Sequence, residues 1–370
     1  MIPVNTPLLS GNEKKYINEA LDSGWISSEG PFVKMFEEKF SNYIGRKNGV
    51  AVSNGSAALD VAVKAIGINK GDEVILPTFT IISPAFSIIR QGGIPVLVDS
   101  DPITWGMDVT KIEEKITPKT KAILVVHIYG YPIDMDPVIE LANKYKLKII
   151  EDAAEMHGQT YKGKKCGSFG DISIFSFYPN KHITTGEGGM ILTDNNDLAE
   201  KCKELRNLCF IPPKRFVHKE MGWNYRMTNL QAALGVAQLE QIEQFIERKR
   251  EIGSIYNGLL ENIANIDLMP KSVSYADNIY WIYGIMLKAN QQKNAEDLMN
   301  ELKKHKIGSR PFFYPMHLQP VFQKMELFQN EKYPVAEYLS EFGFYIPCGL
   351  GISNEEINLV AQILKKILKS

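Results

Sequence analysis

The sequence predicts an α/β protein: a large domain on a mainly parallel sheet, followed by a smaller α+β domain. Two observations carry this. Between residues 50 and 193, short Val- and Ile-rich runs alternate with helical stretches. That pattern indicates right-handed crossovers and a sheet covered on both faces. Beyond about residue 250 the pattern turns mixed, after one long apolar-faced helix. A length of 370 residues fits two domains at roughly 100–200 residues each. We place them at 1–250 and 251–370.

The elements follow in order. Residues 11–23 read as a polar amphipathic helix. Residues 31–44 read as another, with Phe32, Met35, Phe36 and Phe40 at helical spacing. Strand 50–52 leads to helix 57–66, and strand 73–76 to helix 84–90. Strands 95–98 and 122–126 precede helix 137–145, and strand 147–150 follows it. Residues 172–177 and 189–193 continue the sheet across a glycine-rich loop. One helix is expected over 229–251, with Leu230, Ala233, Leu234, Val236, Leu239 and Ile242 on its apolar side. It forms the bridge to a strand at 281–287, a helix at 295–305 and a terminal helix at 354–369.

Composition excludes several function classes. Hydrophobic residues at 44% and charged residues at 23% are those of an ordinary soluble globular protein. Lys plus Arg number 42 against 43 Asp plus Glu, so the net charge is -1. That argues against a nucleic-acid binder and against a polybasic membrane-surface protein. Cys166, Cys202, Cys209 and Cys348 form no C-x-x-C pair and fit neither a zinc site nor a disulfide framework. They read as reduced thiols, with no metal site, in a cytoplasmic protein. Met1 to Pro7 show no basic region followed by an apolar core, so no secretory leader is expected. No apolar run approaches the ~20 residues of a membrane span.

Three segments could carry chemistry. Asn54-Gly55-Ser56 joins a strand to a helix. Glycine admits a ligand to the backbone, Ser56 can cap the helix, and the free amides with the helix dipole suit a phosphate. Taken alone, the segment reads more readily as a plain capped turn. Glu151-Asp152-Ala153-Ala154-Glu155 stands at the carboxyl end of a buried strand, where ligands of open α/β sheets gather. A carboxylate there can pair with a protonated ring nitrogen or cap a helix start. Ser176 to Gly189 leaves a strand, passes Lys181 and enters a loop with three glycines in Gly186-Glu187-Gly188-Gly189. A desolvated lysine loses its proton more easily and can form a Schiff base with a carbonyl. Phosphate cradle, ring-nitrogen partner and imine lysine together are the set that pyridoxal 5'-phosphate requires.

These residues resemble the DegT/StrS-type nucleotide-sugar aminotransferases, nearly end to end. The likeness runs from Ser23-Gly24-Trp25-Ile26-Ser27-Ser28 through Asn54-Gly55-Ser56, the segments above and Asn224-Tyr225-Arg226-Met227-Thr228 to Tyr314-Pro315-Met316-His317. Within the family it is strongest to the perosamine-forming enzymes, on residues 183–190, Arg310-Pro311 and Tyr314-Pro315. The resemblance implies an aspartate-aminotransferase-like fold (fold type I) with a seven-stranded sheet. It implies that Lys181 is the Schiff-base lysine and moves the proton, that Asp152 pairs with the pyridine nitrogen, and that Glu155 lies near the ring hydroxyl. Gly55, Ser56 and Ser176 would hold the phosphate. Asn224 would reach it from the second subunit of a homodimer with shared active sites. Ile81 would cover the cofactor ring. Trp25, Ser27, Arg310, Tyr314 and His317 are candidates for the nucleotide-sugar pocket, with scaffold packing as the alternative for each.

Two positions depart from the family pattern. Ile81 stands where an aromatic residue usually stacks on the ring, losing a stacking contribution of ~0.5–1.5 kcal/mol. Phe86 stands where perosamine-forming enzymes usually have Asn. Some relatives that remove a sugar hydroxyl carry His in place of the lysine; here Lys181 precedes His182, so imine chemistry stays available. The expected reaction moves an amino group from glutamate to a nucleotide-linked 4-keto-6-deoxy sugar. The alternatives are a pyridoxal-phosphate-dependent sugar dehydratase, and a non-catalytic regulatory protein on the same fold.

Overall fold

The computed structural model describes residues 1–211, 213–288 and 293–369. Its largest sheet has seven strands: β1 Asn48–Val52, β2 Glu73–Pro77, β3 Ile94–Val98, β4 Thr120–Val126, β5 Lys148–Asp152, β6 Ile172–Ser176 and β7 Gly189–Thr193. Their spatial order is β1-β7-β6-β5-β4-β2-β3. Neighbours from β6 to β3 pair in parallel, whereas β7 runs antiparallel to both β6 and β1.

Alternation along each strand divides the core into two layers. Val50, Val52, Val74, Leu76, Leu124, Val126, Ile150, Ile172, Ile174 and Ile191 belong to one cluster. It takes in helices α3 Gly55–Ala65, α4 Ser83–Arg90 and α6 Asn196–Arg206. Ala51, Ile75, Ile123, Val125, Ile149, Phe175, Met190 and Leu192 belong to the other. That layer is covered by α2 Pro31–Ile44, α5 Met135–Tyr145 and α7 Asn229–Leu239, with α1 Glu13–Asp22 contributing Ala20. Pro at the first position of α2 suits a helix start, and Gly45 at φ 85° ends it in the left-handed conformation. The helix α6 was absent from the sequence expectation; its polar composition hides a narrow buried stripe of Ala199, Cys202 and Leu205.

The single helix expected over 229–251 is two helices. α7 stops at Leu239, and α8 Ile242–Leu260 departs after a break at Glu240 and Gln241. No Gly or Pro lies there, so the cause is tertiary. The Glu240 carboxylate accepts hydrogen bonds from Asn12 Nδ2 and the Tyr16 hydroxyl, each at 2.8 Å, which hold α7 against α1.

A second sheet is antiparallel throughout. Its strands are β8 Ile266–Leu268, β9 Tyr283–Leu287, β10 Arg310–Pro311 and β11 Gly343–Ile346, in the order β8-β9-β11-β10. α9 Ala295–Lys304, α11 Pro334–Phe342 and α12 Asn354–Lys369 accompany it. The short helix α10 Pro320–Lys324 lies before α11. The start of the chain also lies on this unit. Ile2 pairs with Ile307, the Val4 carbonyl accepts the Cys348 amide, and the Thr6 carbonyl accepts the Gly351 amide. All four cysteines are buried free thiols. No helix among the described residues is long and apolar enough to cross a membrane.

Candidate active site

A cavity of about 650 Å³ opens at the carboxyl ends of β4, β5 and β6, where this class of sheet gathers ligands. Its lining includes Asn54, Gly55, Ser56, Asp152, Glu155 and Lys181.

One wall is the turn from β1 into α3. Asn54 is the helix cap: its Oδ1 accepts the Ala57 amide at 2.8 Å. Ser56, expected to cap the helix, instead lies inside its first turn, with its hydroxyl 2.7 Å from that of Ser83. Among the described residues the Gly55 and Ser56 amides have no partner, so they present two free donors at the positive end of the helix. A Cβ at Gly55 would meet Ser176 Cβ at 2.9 Å. Glycine thus lets β6 bring the Ser176 hydroxyl beside the turn.

The opposite wall carries the titratable groups. Lys181 Nζ lies 3.8 Å from Glu155 Oε1, and 4.1 Å from the centroid of the Trp281 ring. Burial lowers the affinity of this amine for its proton, with Glu155 and Asp152 opposing that shift. Burial also pushes Asp152 up to about 6, against the hydrogen bond it accepts from the Ala154 amide and the Lys181 charge. Glu155, which accepts the Tyr129 amide at 2.8 Å, is pushed up to about 7 by the same cause. His157, buried beside Phe175 and Phe177, is driven down to about 3 by burial and stays neutral.

Glu151 serves a different purpose from its neighbours. No helix follows the strand here. The Glu151 carboxylate accepts the Gly167, Phe169 and Gly170 amides and pairs with His127 Nε2 at 3.1 Å. The Ile133 amide donates to His127 Nδ1, which assigns the ring proton to Nε2. Arg46 completes this support by donating to the Gly167 and Gly170 carbonyls.

The remaining expected residues divide. Ile81 lines the cavity and is 48% exposed. Phe86 packs edge-on against Phe322 at 5.4 Å, docking α4 to α10 outside the cavity lining. Asn224 is exposed and lies outside the cavity of its own chain. Trp25 and Ser27 also lie outside it, and their carbonyls accept hydrogen bonds from the side chain and the amide of Asn229. Arg310 and Tyr314 are exposed beyond its rim, although Arg310 pairs in register with Tyr345, a lining residue. His317 is turned inward and only 1% exposed. Its Nδ1 is 3.0 Å from Thr78 Oγ1 and its Nε2 is 3.0 Å from Glu337, so both ring nitrogens are engaged in tying α11 to the end of β2. That engagement favours the scaffold-packing alternative for His317.

Several lining residues escaped the sequence reading. Thr80 and His127 follow β2 and β4 and were accessible to the same strand-end argument that found Asp152. Trp281, Phe313 and Tyr345 come from the second sheet and its approaches, and no local signal marks them.

Comparison with known proteins decides the class. The model of the DegT/DnrJ/EryC1/StrS aminotransferase family matches residues 7–365. The chain belongs to the DegT/DnrJ/EryC1/StrS aminotransferase family. It is 43% identical to a GDP-perosamine synthase of Escherichia coli O157:H7, over 99% of this chain and 98% of that protein. It is 41% identical to a GDP-perosamine synthase of Caulobacter vibrioides, over 99% and 98%. Among solved structures it is similar to the aminotransferase TlmJ of Streptoalloteichus hindustanus, with TM-score 0.93, 27% identity and full coverage of both chains. Like the family, it is a pyridoxal-phosphate-dependent sugar aminotransferase.

The DegT/DnrJ/EryC1/StrS cavity found here fits that cofactor. Two free amides and a hydroxyl stand at one end, and a buried carboxylate and a desolvated lysine at the other. Two buried lining atoms, Thr80 Oγ1 and Asn180 Oδ1, have no hydrogen-bond partner among the described residues. Unpaired buried polar atoms are costly, and a polar ligand in the cavity would relieve them.

Proposed function

We propose that this aminotransferase moves an amino group from glutamate to a nucleotide-linked 4-keto-6-deoxy sugar, forming a 4-amino-4,6-dideoxy sugar as a GDP-perosamine synthase does. The single observation that carries the site is the convergence of Lys181, Glu155, Asp152 and the Gly55–Ser56 turn on one cavity. Relatives 41–43% identical over nearly the whole chain support the choice of substrate.

When bound, pyridoxal phosphate supplies an electron sink for the carbon losing or gaining nitrogen. In this reading the Gly55 and Ser56 amides and the Ser176 hydroxyl bind its phosphate. Asp152 holds the proton on the ring nitrogen, and Glu155 lies by the ring hydroxyl. Lys181 Nζ carries the proton between carbon and cofactor. That task needs an amine able to be neutral, which its burial favours. Ile81 shields one side. Asn224 of a second copy completes the phosphate site, making the working unit a homodimer. Trp25, Ser27, Arg310 and Tyr314 fall outside the cofactor cavity, consistent with contacts to the more distant nucleotide. The protein works in the cytoplasm, among soluble nucleotide sugars. The division into large and small domains at 250/251 falls within α8, which bridges the two.

The test is a panel of nucleotide-linked ketosugars with nitrogen-labelled glutamate, the product identified by mass and NMR. Label at carbon 4 of a GDP-linked sugar is expected. A deoxygenated product without label would replace this reading with the dehydratase. A Lys181→Ala variant that transaminates at the normal rate would remove Lys181 from its role.

A further inference from the structure

The buried lysine of α8 has no counter-charge. Lys249 is 3% exposed and makes no ion pair among the described residues. Its Nζ donates instead to two backbone carbonyls, Trp281 O at 2.8 Å and Cys348 O at 2.7 Å, with Cys348 Sγ at 3.7 Å. Burying an ammonium without a carboxylate is expensive, and an apolar side chain of similar length would fill the same space at lower cost. What the ammonium supplies is a fixed link between the segment before β9 and the segment after β11.

The first of those segments is the one that presents Trp281. Tyr280, just before it, sits at φ 51°, a left-handed conformation unfavourable for a residue with a Cβ. Two anchors bracket the strained turn. Asn278 Oδ1 accepts the Tyr280 amide at 2.7 Å, and Lys249 holds the Trp281 carbonyl. The indole is then fixed at both ends. Its Nε1 donates to the Asn180 carbonyl at 2.9 Å, and its face lies 4.1 Å from Lys181 Nζ. Asn180 is the residue before Lys181. The loop is gripped from another side by Asn5, whose Nδ2 donates to the Pro179 carbonyl at 2.8 Å.

We propose that Lys249 is a positioning residue for the reaction: it sets the Trp281 indole as the wall that holds the Lys181 amine between the ring and Glu155. Lys249 lies outside the cavity lining and acts through Trp281. The acidic neighbours facing the Lys181 amine are Glu155 and Asp152, with His157 and His182 buried as neutral rings. If the indole moves, the balance between the ring face and the carboxylates changes. Both the proton affinity of the lysine and its approach to the reacting carbon follow. The inference rests on Lys181 being the lysine that bonds the cofactor.

The experiment uses the cofactor-loaded enzyme. The pH midpoint of the visible band of lysine-bound cofactor is titrated in wild type, Lys249→Met, Trp281→Phe and the double variant, and kcat and KM are measured for each. We expect Lys249→Met to shift the midpoint by at least about half a pH unit. Its kcat should fall about tenfold or more, with KM for the ketosugar little changed. Trp281→Phe, which keeps a ring but loses the bond to Asn180, should shift the midpoint in the same direction. The double variant should shift it little further than Lys249→Met alone. A Lys249→Met enzyme with normal midpoint and kcat and only a lowered melting temperature overturns the inference. So does an unmoved midpoint in Trp281→Phe, which decides the matter if Lys249→Met does not fold. A wild-type band that persists in Lys181→Ala would refute the underlying reading of Lys181 instead.

Discussion

Asp152 and Glu155 show what the cofactor site costs the chain before the cofactor arrives. Both carboxyls are pushed up by burial, Asp152 from 3.8 to about 6 and Glu155 from 4.5 to about 7. The folded protein therefore binds these protons more tightly than the unfolded chain does. The stability they contribute is complete below about pH 4 and is lost as pH rises through 6 and 7. Asp152→Asn should raise the melting temperature of the cofactor-free protein at pH 8 and flatten its pH dependence between 4 and 7. The same change should abolish transamination, because the ring nitrogen loses its anionic partner. Differential scanning fluorimetry across pH, paired with an activity assay, checks both halves. At Gly55 the argument is steric. A Cβ there would meet Ser176 Cβ at 2.9 Å, so Gly55→Ala must push β6 and the turn apart. A raised cofactor Kd, measured by absorbance titration, is the expected result. These residues were legible in the sequence because each is short-range: a turn, a strand end, a lone lysine beside glycines. The engagement of His317 with Thr78 and Glu337 was not legible for the opposite reason, since it depends on residues 239 and 20 positions away.

At the scale of elements, α3 joins folding to binding. Its cap is one side chain, Asn54, and that cap orients the first turn whose amides face the cavity. Asn54→Ala should cost about 1 kcal/mol of stability. It should also weaken phosphate binding, read as a larger melting-temperature loss with cofactor than without. An equal loss in both states would confine Asn54 to stability. The strands of the large sheet, and its helices other than α6, were readable because short continuous Val- and Ile-rich runs alternate with helical stretches. The break between α7 and α8 was not, because residues 229–260 keep a helical pattern throughout and α1 imposes the stop through Glu240. Nor was the wall formed by Trp281, Phe313 and Tyr345, which exists only once the second sheet stands over the first.

At the scale of the whole molecule, one chain provides most of a site. Asn224 lies outside the cavity of its own chain, so the proposed homodimer makes a specific forecast. Lys181→Ala and Asn224→Asp should each be poorly active alone. Mixed by co-expression, they should recover about a quarter of wild-type activity, since hybrid dimers carry one site with both residues intact. No recovery would mean that Asn224 acts within its own chain or not at all.

The antiparallel strand β7 has a further consequence, in the timing of synthesis. Within the seven-stranded sheet β1 lies at the edge with β7 as its neighbour, Val52 adding one bridge to Arg226, and the contact from Asn48 to Thr193 spans 145 residues. At about 5–20 residues per second, β1 leaves the ribosome roughly 7–30 s before its partner exists. For that interval an apolar strand, Val50-Ala51-Val52, waits with its edge unpaired and sticky. The turn at Gly55 is translated early but shaped late, when β7 closes over it.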